Sequence, residues 1–150
     1  MEYHVERMDL ERQPTAVIRA HVAHDGIADF LGGAFEEVIG TLGVQGLAPA
    51  GPPYARYALT EDGFDIEAGF PASAPVTPSG RVEASELPGG TAVVVLHRGS
   101  YADVAAAYGA AEQWLAANQW TATGAPWEAY LDGPEVAEPR TVVHWPCRPS

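Results

Sequence analysis

The sequence predicts a single α+β domain built from two tandem βαββ units related by a pseudo-two-fold axis. Three observations predict it: ordered self-similarity between the halves, an apolar stripe of helical period in each half, and short alternating runs around each stripe. The 150 residues, 47% of them hydrophobic, suit one compact domain. We therefore expect one domain over residues 1–150, with repeat halves of about 3–71 and 81–147.

The repeat appears as the same signals in the same order, at an offset of about 76 residues. The matching strings are VERMDL at 5–10 with VEASEL at 82–87, TAVIRAH at 15–21 with TAVVVLH at 91–97, and PYARY at 53–57 with PWEAY at 126–130. Any single match could arise by chance. Their shared order indicates duplication.

Each half contains one predicted helix. Its apolar residues recur at i, i+3, i+4 and i+7, which is the period of one helical face. In the first half these residues are Ile27, Phe30, Leu31, Ala34, Phe35, Val38, Ile39 and Leu42, and in the second half they are Val104, Ala107, Tyr108, Ala111 and Leu115. The stripes predict helices over 27–42 and 103–117, the first of which ends at Gly43.

The strands follow from β-branched and alternating runs. TAVIRAHV and TAVVVLH precede the helices, and a short strand at each VERMDL or VEASEL segment comes earlier. After the helices, the predicted pairs of strands are 54–59 with 64–70, and 127–131 with 141–145. We expect the strands to form antiparallel sheet with both helices on one face.

Period two assigns each strand residue to one face of the sheet. The residues predicted to lie beneath the helices are Ala16, Ile18, Ala20, Val22, Ile66, Ala68, Phe70, Ala92, Val94, Leu96, Trp127, Ala129 and Leu131. The residues predicted on the opposite face are Arg19, His21, Asp65, Glu67, Val93, Val95, His97, Glu128 and Tyr130. The repeat then places Tyr57 opposite Tyr130.

Two tyrosines and two carboxylates would therefore share the uncovered face: Tyr57, Glu67, Glu128 and Tyr130. Aromatic rings beside a partly desolvated carboxylate suit a planar organic cation, through stacking, cation–π attraction and charge pairing. A bulge or strand end would turn Trp127 toward the same site. The alternative is that these are ordinary exposed strand residues, since Tyr and Glu are frequent there.

Composition argues against several classes of function. A formal charge of −12 repels phosphate backbones and anionic membranes, so we expect no nucleic-acid or membrane partner. The charged start MEYHVERMDL does not resemble a signal peptide, and we expect a cytoplasmic protein. The histidines lack ligand spacing, Cys147 is the single cysteine, and Ser100 lacks an elbow motif. We expect no metal, cofactor or serine triad.

The sequence resembles the GyrI-like, or effector-binding, domain family, which is fused to drug-responsive AraC-type and MerR-type regulators and is also found alone. The resemblance extends from about Val5 to Pro146. It rests on DIEAGFP at 65–71, LPGG at 87–90, His97-x-Gly99-x-Tyr101, Trp114-Leu115, and Pro126-Trp127-Glu128-x-Tyr130 followed by Pro139 and Thr141.

The resemblance implies a pocket between the halves, where a glutamate and several aromatic residues receive bulky lipophilic cations. Glu128 matches that glutamate, and the ligand-binding set expected around it is Tyr57, Glu67, His97, Trp127 and Tyr130. Some stand-alone members resemble hydrolases that open cyclopropane rings of DNA-alkylating toxins, which implies catalytic roles for Glu128 and Glu67. Others are named for inhibiting DNA gyrase.

Three hypotheses follow. The first is a stand-alone binding protein for planar, lipophilic, often cationic small molecules, since we expect no helix-turn-helix segment. The second is a hydrolase of cyclopropane-type toxins acting in the same cleft. The third is a gyrase-inhibitor-like interaction protein whose protein partner is unknown.

Overall fold

The computed structural model describes residues 3–133 and 135–150, and within them lie nine strands and two α-helices. The elements are β1 Val5–Leu10, β2 Gln13–Val22, α1 Ile27–Val44, β3 Tyr54–Thr60, β4 Gly63–Pro71, β5 Glu83–Leu87, β6 Gly90–Arg98, α2 Ala105–Ala117, β7 Trp120–Ala122, β8 Trp127–Tyr130 and β9 Arg140–Pro149. The described strand pairs are antiparallel. The predicted α+β class, with antiparallel sheet and two helices, is confirmed. Neither helix is long and apolar enough to cross a membrane, judged over the described residues.

The chain divides into two compact units. The N-terminal unit is Arg12–Pro88, and the C-terminal unit combines Met1–Glu11 with Gly89–Ser150. These boundaries differ from the predicted repeat halves because β1 pairs with β6, whereas β5 pairs with β2. The opening strand of each predicted copy therefore completes the sheet that carries the helix of the other copy.

The N-terminal unit has the strand order β3-β4-β2-β5, and α1 packs on β2 and β4. Ala16 pairs with Phe70, and the Phe70 ring meets Phe35 of α1 edge-on at 5.9 Å. Cross-strand partners lie on the same face, so Ile18 and its partner Ala68 also face the helix. The faces predicted for β2 and β4 are confirmed.

Helix α1 ends at Val44, and the glycine that terminates it is Gly46, not the predicted Gly43. The N–H of Leu47 bonds to Leu42 O at 2.9 Å, and the N–H of Gly46 bonds to Gly43 O at 3.2 Å. This is a Schellman arrangement, and Gly46 has the positive φ of 70° that it requires. Gly43 lies within the last turn, where its backbone is helical.

The C-terminal unit has the strand order β1-β6-β9-β8, with β7 paired to the end of β9. Its core packs α2 against strands β6 and β9, and the buried residues are Val93, Val95, Ala107, Ala111, Leu115, Val143 and Cys147. Helix α2 therefore lies over Val93 and Val95. The prediction that Ala92, Val94 and Leu96 lie beneath the helix is wrong.

The error is a slip of one residue in matching the two TAV strings. Leu10 pairs with Gly90 and Leu87 pairs with Gln13, so strand pairing matches Ala16 to Val93 rather than to Ala92. A shift of one residue exchanges the two faces of a strand. Because apolar residues fill both faces of β6, alternation did not expose the slip.

Candidate functional site

Strand β8 places Glu128 and Tyr130 on the face that α2 covers. Glu128 lies opposite the core residue Val143, and Tyr130 lies opposite Thr141. The prediction that Glu128 and Tyr130 occupy the uncovered face, with Trp127 beneath the helix, is therefore wrong. Alternation alone placed the larger apolar side chain, Trp127, beneath the helix. Burial of a carboxylate is costly unless it is hydrogen-bonded, and the helix supplies a donor, the Tyr108 hydroxyl.

Two phenols hold the Glu128 carboxylate. The Tyr108 hydroxyl, from α2, donates to Oε2 at 2.6 Å, and the Tyr130 hydroxyl donates to Oε1 at 3.1 Å. Glu128 is only 8% exposed. We call Glu128, Tyr108, Tyr130, Tyr101, His97 and Thr141 the Glu128 cluster.

Burial raises the pKa of Glu128 above the ordinary glutamate range. The hydrogen bonds from Tyr108 and Tyr130 act in the opposite direction, as does the nearby His97 ring, but desolvation is the largest effect. The hydrogen bonds therefore offset only part of the cost of burying the ionised carboxylate. A cation placed beside it would stabilise the ionised form further.

His97 is buried and bonded at both ring nitrogens. Its Nε2 lies 2.8 Å from Ser100 O and its Nδ1 lies 2.9 Å from the Tyr3 hydroxyl. A carbonyl oxygen only accepts, so Nε2 carries a proton and donates to Ser100 O, while Nδ1 shares a hydrogen bond with the Tyr3 hydroxyl. His97 thereby ties β6 to the turn that precedes α2, and it lies directly opposite Thr141.

The surface side of the cluster is formed by Tyr101 and Tyr130, whose rings meet edge-on at 5.9 Å. Tyr101 belongs to the short 3₁₀ helix Tyr101–Asp103, is 36% exposed, and donates to Asp132 O at 2.9 Å. Asp132 in turn accepts from the Arg140 guanidinium at 2.8 and 3.1 Å. The aromatic rim is thus braced by the chain that follows β8.

Glu67, predicted beside Glu128, belongs to the N-terminal unit, where neighbours occupy its carboxylate. Oε1 accepts from Arg19 Nη2 at 2.9 Å and from Ser85 Oγ at 2.9 Å, and Oε2 accepts from the Tyr54 hydroxyl at 3.0 Å. The charge of Glu67 is neutralised by Arg19. Its role in this unit is to join β4 to β2, β3 and β5.

Tyr57 also belongs to the N-terminal unit, on the face opposite Glu67. It lies opposite Ile66, which faces α1, and its ring meets Phe64 at 5.9 Å. Tyr54, three residues earlier, is the tyrosine that contacts Glu67. The predicted sharing of one face by Tyr57 and Glu67 is wrong, because adjacent β4 residues point to opposite sides.

Trp127 lies on the face of the C-terminal sheet opposite Glu128. Its ring stacks on His144 with centroids 5.0 Å apart and planes 7° from parallel. Desolvation lowers the pKa of His144 to about 4, so this imidazole is neutral near pH 7. Of the predicted ligand-binding residues, the structure therefore groups Glu128, Tyr130 and His97.

Sequence reasoning missed Tyr108 as a site residue, because it fits the apolar stripe of the second helix. The sequence does contain one signal: the second stripe has a tyrosine at the place where the first stripe has Phe35. Each ring follows a buried alanine and meets an aromatic residue of its own sheet edge-on, Phe70 for Phe35 and Trp145 for Tyr108. A hydroxyl at this place indicates a polar partner, which is Glu128.

A groove elsewhere in the C-terminal unit does not coincide with the Glu128 cluster. This groove of about 510 Å³, lined by Val94, Leu96 and Arg98 among others, lies on the other face of the C-terminal sheet. Across residues 3–133 and 135–150, no group of three or more His, Cys, Asp or Glu side chains could hold a metal ion.

Comparison with known proteins identifies the family. The model of the GyrI-like small molecule binding domain matches residues 1–146. The chain belongs to this family. The C-terminal domain of EcmrR has a similar structure, with a TM-score of 0.85 at 23% identity and complete coverage of both chains. A search of the curated proteins finds no match.

Two further structures resemble this GyrI-like domain. EcmrR in a DNA complex gives a TM-score of 0.82 at 22% identity, with 99% of this chain and 58% of that chain covered. A hydrolase from Listeria innocua gives a TM-score of 0.71 at 14% identity, with 96% and 91% covered. At these identities the likeness establishes the fold, and the GyrI-like family establishes small-molecule binding as the general function.

Proposed function

We propose that this GyrI-like domain binds planar, lipophilic cations at the Glu128 cluster. The observation that carries the proposal is a carboxylate, 8% exposed, that is surrounded by aromatic rings and bonded only to neutral donors among its described hydrogen bonds. Among the described contacts, no Lys or Arg side chain compensates the charge of the Glu128 carboxylate. Glu67 differs, because it pairs with Arg19. A lipophilic cation would supply the missing positive charge and stack on the tyrosine rings.

The test is a fluorescence titration with N-methylacridinium, a planar cation that has no N–H group. We expect Glu128→Gln to weaken binding roughly ten- to a hundredfold, because a charge-assisted contact in a desolvated site is lost. Glu112→Gln is the matched control, since Glu112 is an exposed glutamate on α2 of the same unit. Equal affinity of the wild type and Glu128→Gln would remove Glu128 from the site.

A second candidate function is hydrolysis of cyclopropane-type DNA-alkylating toxins. The observation that favours it is the raised pKa of Glu128, which suits a group that transfers a proton near neutral pH. Product mass spectrometry with a spirocyclopropane alkylator distinguishes the two functions. Several turnovers per protein molecule, lost in Glu128→Gln, would favour the hydrolase, whereas stoichiometric protection favours the binding protein.

A further inference from the structure

The Glu128 cluster contains a buried hydroxyl whose hydrogen-bonding capacity is unused. Thr141 is 0% exposed, and its Oγ1 makes no hydrogen bond to any residue that the structure describes. A buried hydroxyl without a partner destabilises a folded protein, so such groups are rare. They mark places where a water molecule or a ligand completes the structure.

Strand pairing fixes the position of Thr141 within the cluster. Thr141 lies directly between its cross-strand partners, His97 on β6 and Tyr130 on β8. The hydroxyl of Tyr130 bonds to Glu128, which is two residues away on the same face. Directly paired residues on neighbouring strands have Cβ atoms about 5 Å apart, and diagonal ones about 7–8 Å apart. A flat ring system of two or three fused rings would span the distance from Glu128 to Thr141.

The neighbours of Thr141 explain why its hydroxyl is left over. Both ring nitrogens of His97 are occupied by Ser100 O and the Tyr3 hydroxyl, and the phenol of Tyr130 is directed to Glu128. The core residue Val143 follows two positions later on the same face. The described hydrogen bonds of the polar side chains next to Thr141 are therefore made to other groups.

We propose that the Thr141 hydroxyl is a second ligand contact of the Glu128 site and binds an amino or hydroxyl group of the ligand. This inference rests on the proposed function and narrows it to planar cations that carry such a hydrogen-bonding group. Tyr130 is the strand partner of Thr141, and its ring contacts the partly exposed Tyr101 ring. We therefore expect a rotation of the Tyr130 side chain to admit the ligand to both Glu128 and Thr141. The cation then pairs with the carboxylate while its amino group bonds to Thr141.

The experiment compares N-methylacridinium with its diamino derivative, which adds two N–H-bearing groups to the same cation. Thr141→Val removes the hydroxyl at nearly constant volume, and Thr141→Ser keeps it. We expect the wild type to favour the diamino dye, and Thr141→Val to reduce that preference about three- to tenfold, the effect of one neutral hydrogen bond. Thr141→Ser should retain the preference.

Thermal unfolding of the ligand-free variants supplies an independent readout. Thr141→Val should have an unchanged or higher Tm, because it removes an unpaired buried hydroxyl; a clear fall in Tm would show an internal partner and overturn the inference. An unchanged dye preference in Thr141→Val, with binding still lost in Glu128→Gln, would overturn the inference alone. Failure of both dyes to bind the wild type would overturn the proposed function as well.

Discussion

At the scale of the residue, Glu128 illustrates how a buried carboxylate is only partly compensated. Hydrogen bonds to charged groups contribute about 1.5–3 kcal/mol each, and Tyr108 and Tyr130 provide two. Desolvation still prevails, since the pKa of Glu128 is raised. The ionised form therefore gains from any cation that reaches it, which is the physical basis of the proposed ligand preference.

The raised pKa predicts how stability depends on pH. The native state holds the Glu128 proton to higher pH than the unfolded chain does, so the free energy of unfolding falls as pH rises from the ordinary glutamate pKa through the raised one. Glu128→Gln should lack this fall, while Tyr108, Tyr130 and His97 remain in place. Urea denaturation at a series of pH values measures the difference, with Glu112→Gln as the control. Parallel pH profiles for the wild type and Glu128→Gln would contradict the assignment.

Glu67 should behave differently from Glu128, because Arg19 already neutralises it. Glu67→Gln is expected to lower the free energy of unfolding by about 1–2 kcal/mol, since Arg19 is half exposed and solvent screens part of the pair. Affinity for N-methylacridinium should change less than twofold. Urea denaturation and dye titration of the same preparation test both statements. A large loss of affinity with unchanged stability would return Glu67 to the binding site.

At the scale of the element, the sequence identified the helices well because their apolar stripes have one clear period. The face of β6 was not predictable in the same way, since Val93 and Val95 point one way while Val94 and Leu96 point the other. All four are apolar, and pairing with β1 and β9 decides which pair meets α2. Strand β7 was missed because three residues are too few for a periodic signal.

The site was predictable only in part, for a related reason. Glu128 and Tyr130 could be found as motif residues, but the face they occupy depends on a partner from the helix. Tyr108 provides that partner, and its place in an apolar stripe concealed it. Glu128 was predicted to be exposed, but a tertiary contact with Tyr108 of α2 accompanies its burial.

The end of α1 allows a prediction from two glycines three residues apart. Gly46→Ala should lower the free energy of unfolding by about 1 kcal/mol, because Gly46 has a φ of 70° that side chains with a Cβ disfavour. Gly43→Ala should raise it by about 0.5–1 kcal/mol, because Gly43 is helical and an added Cβ meets nothing within 4 Å. Urea denaturation compares the two variants. Destabilisation by Gly43→Ala would place the helix end at the residue predicted from sequence.

At the scale of the whole molecule, the 20 acidic residues against 8 Lys and Arg set the long-range field. This field attracts cations and repels phosphate backbones. We predict that the isolated chain does not bind DNA, although one structure of the similar protein EcmrR is of a DNA complex. A gel shift at low salt measures this, and a salt-sensitive shifted band would contradict it.

In the proposed function, Glu128 is the counter-ion of a bound planar cation. A crystal structure of the complex with N-methylacridinium would test this role of Glu128. We expect the dye to lie within the Glu128 cluster, with its charged ring close to the carboxylate and packed against the rings of Tyr108, Tyr130 or Tyr101. A dye bound at the groove near Val94 and Leu96, or at any place without contact to Glu128, would show that Glu128 is not its counter-ion.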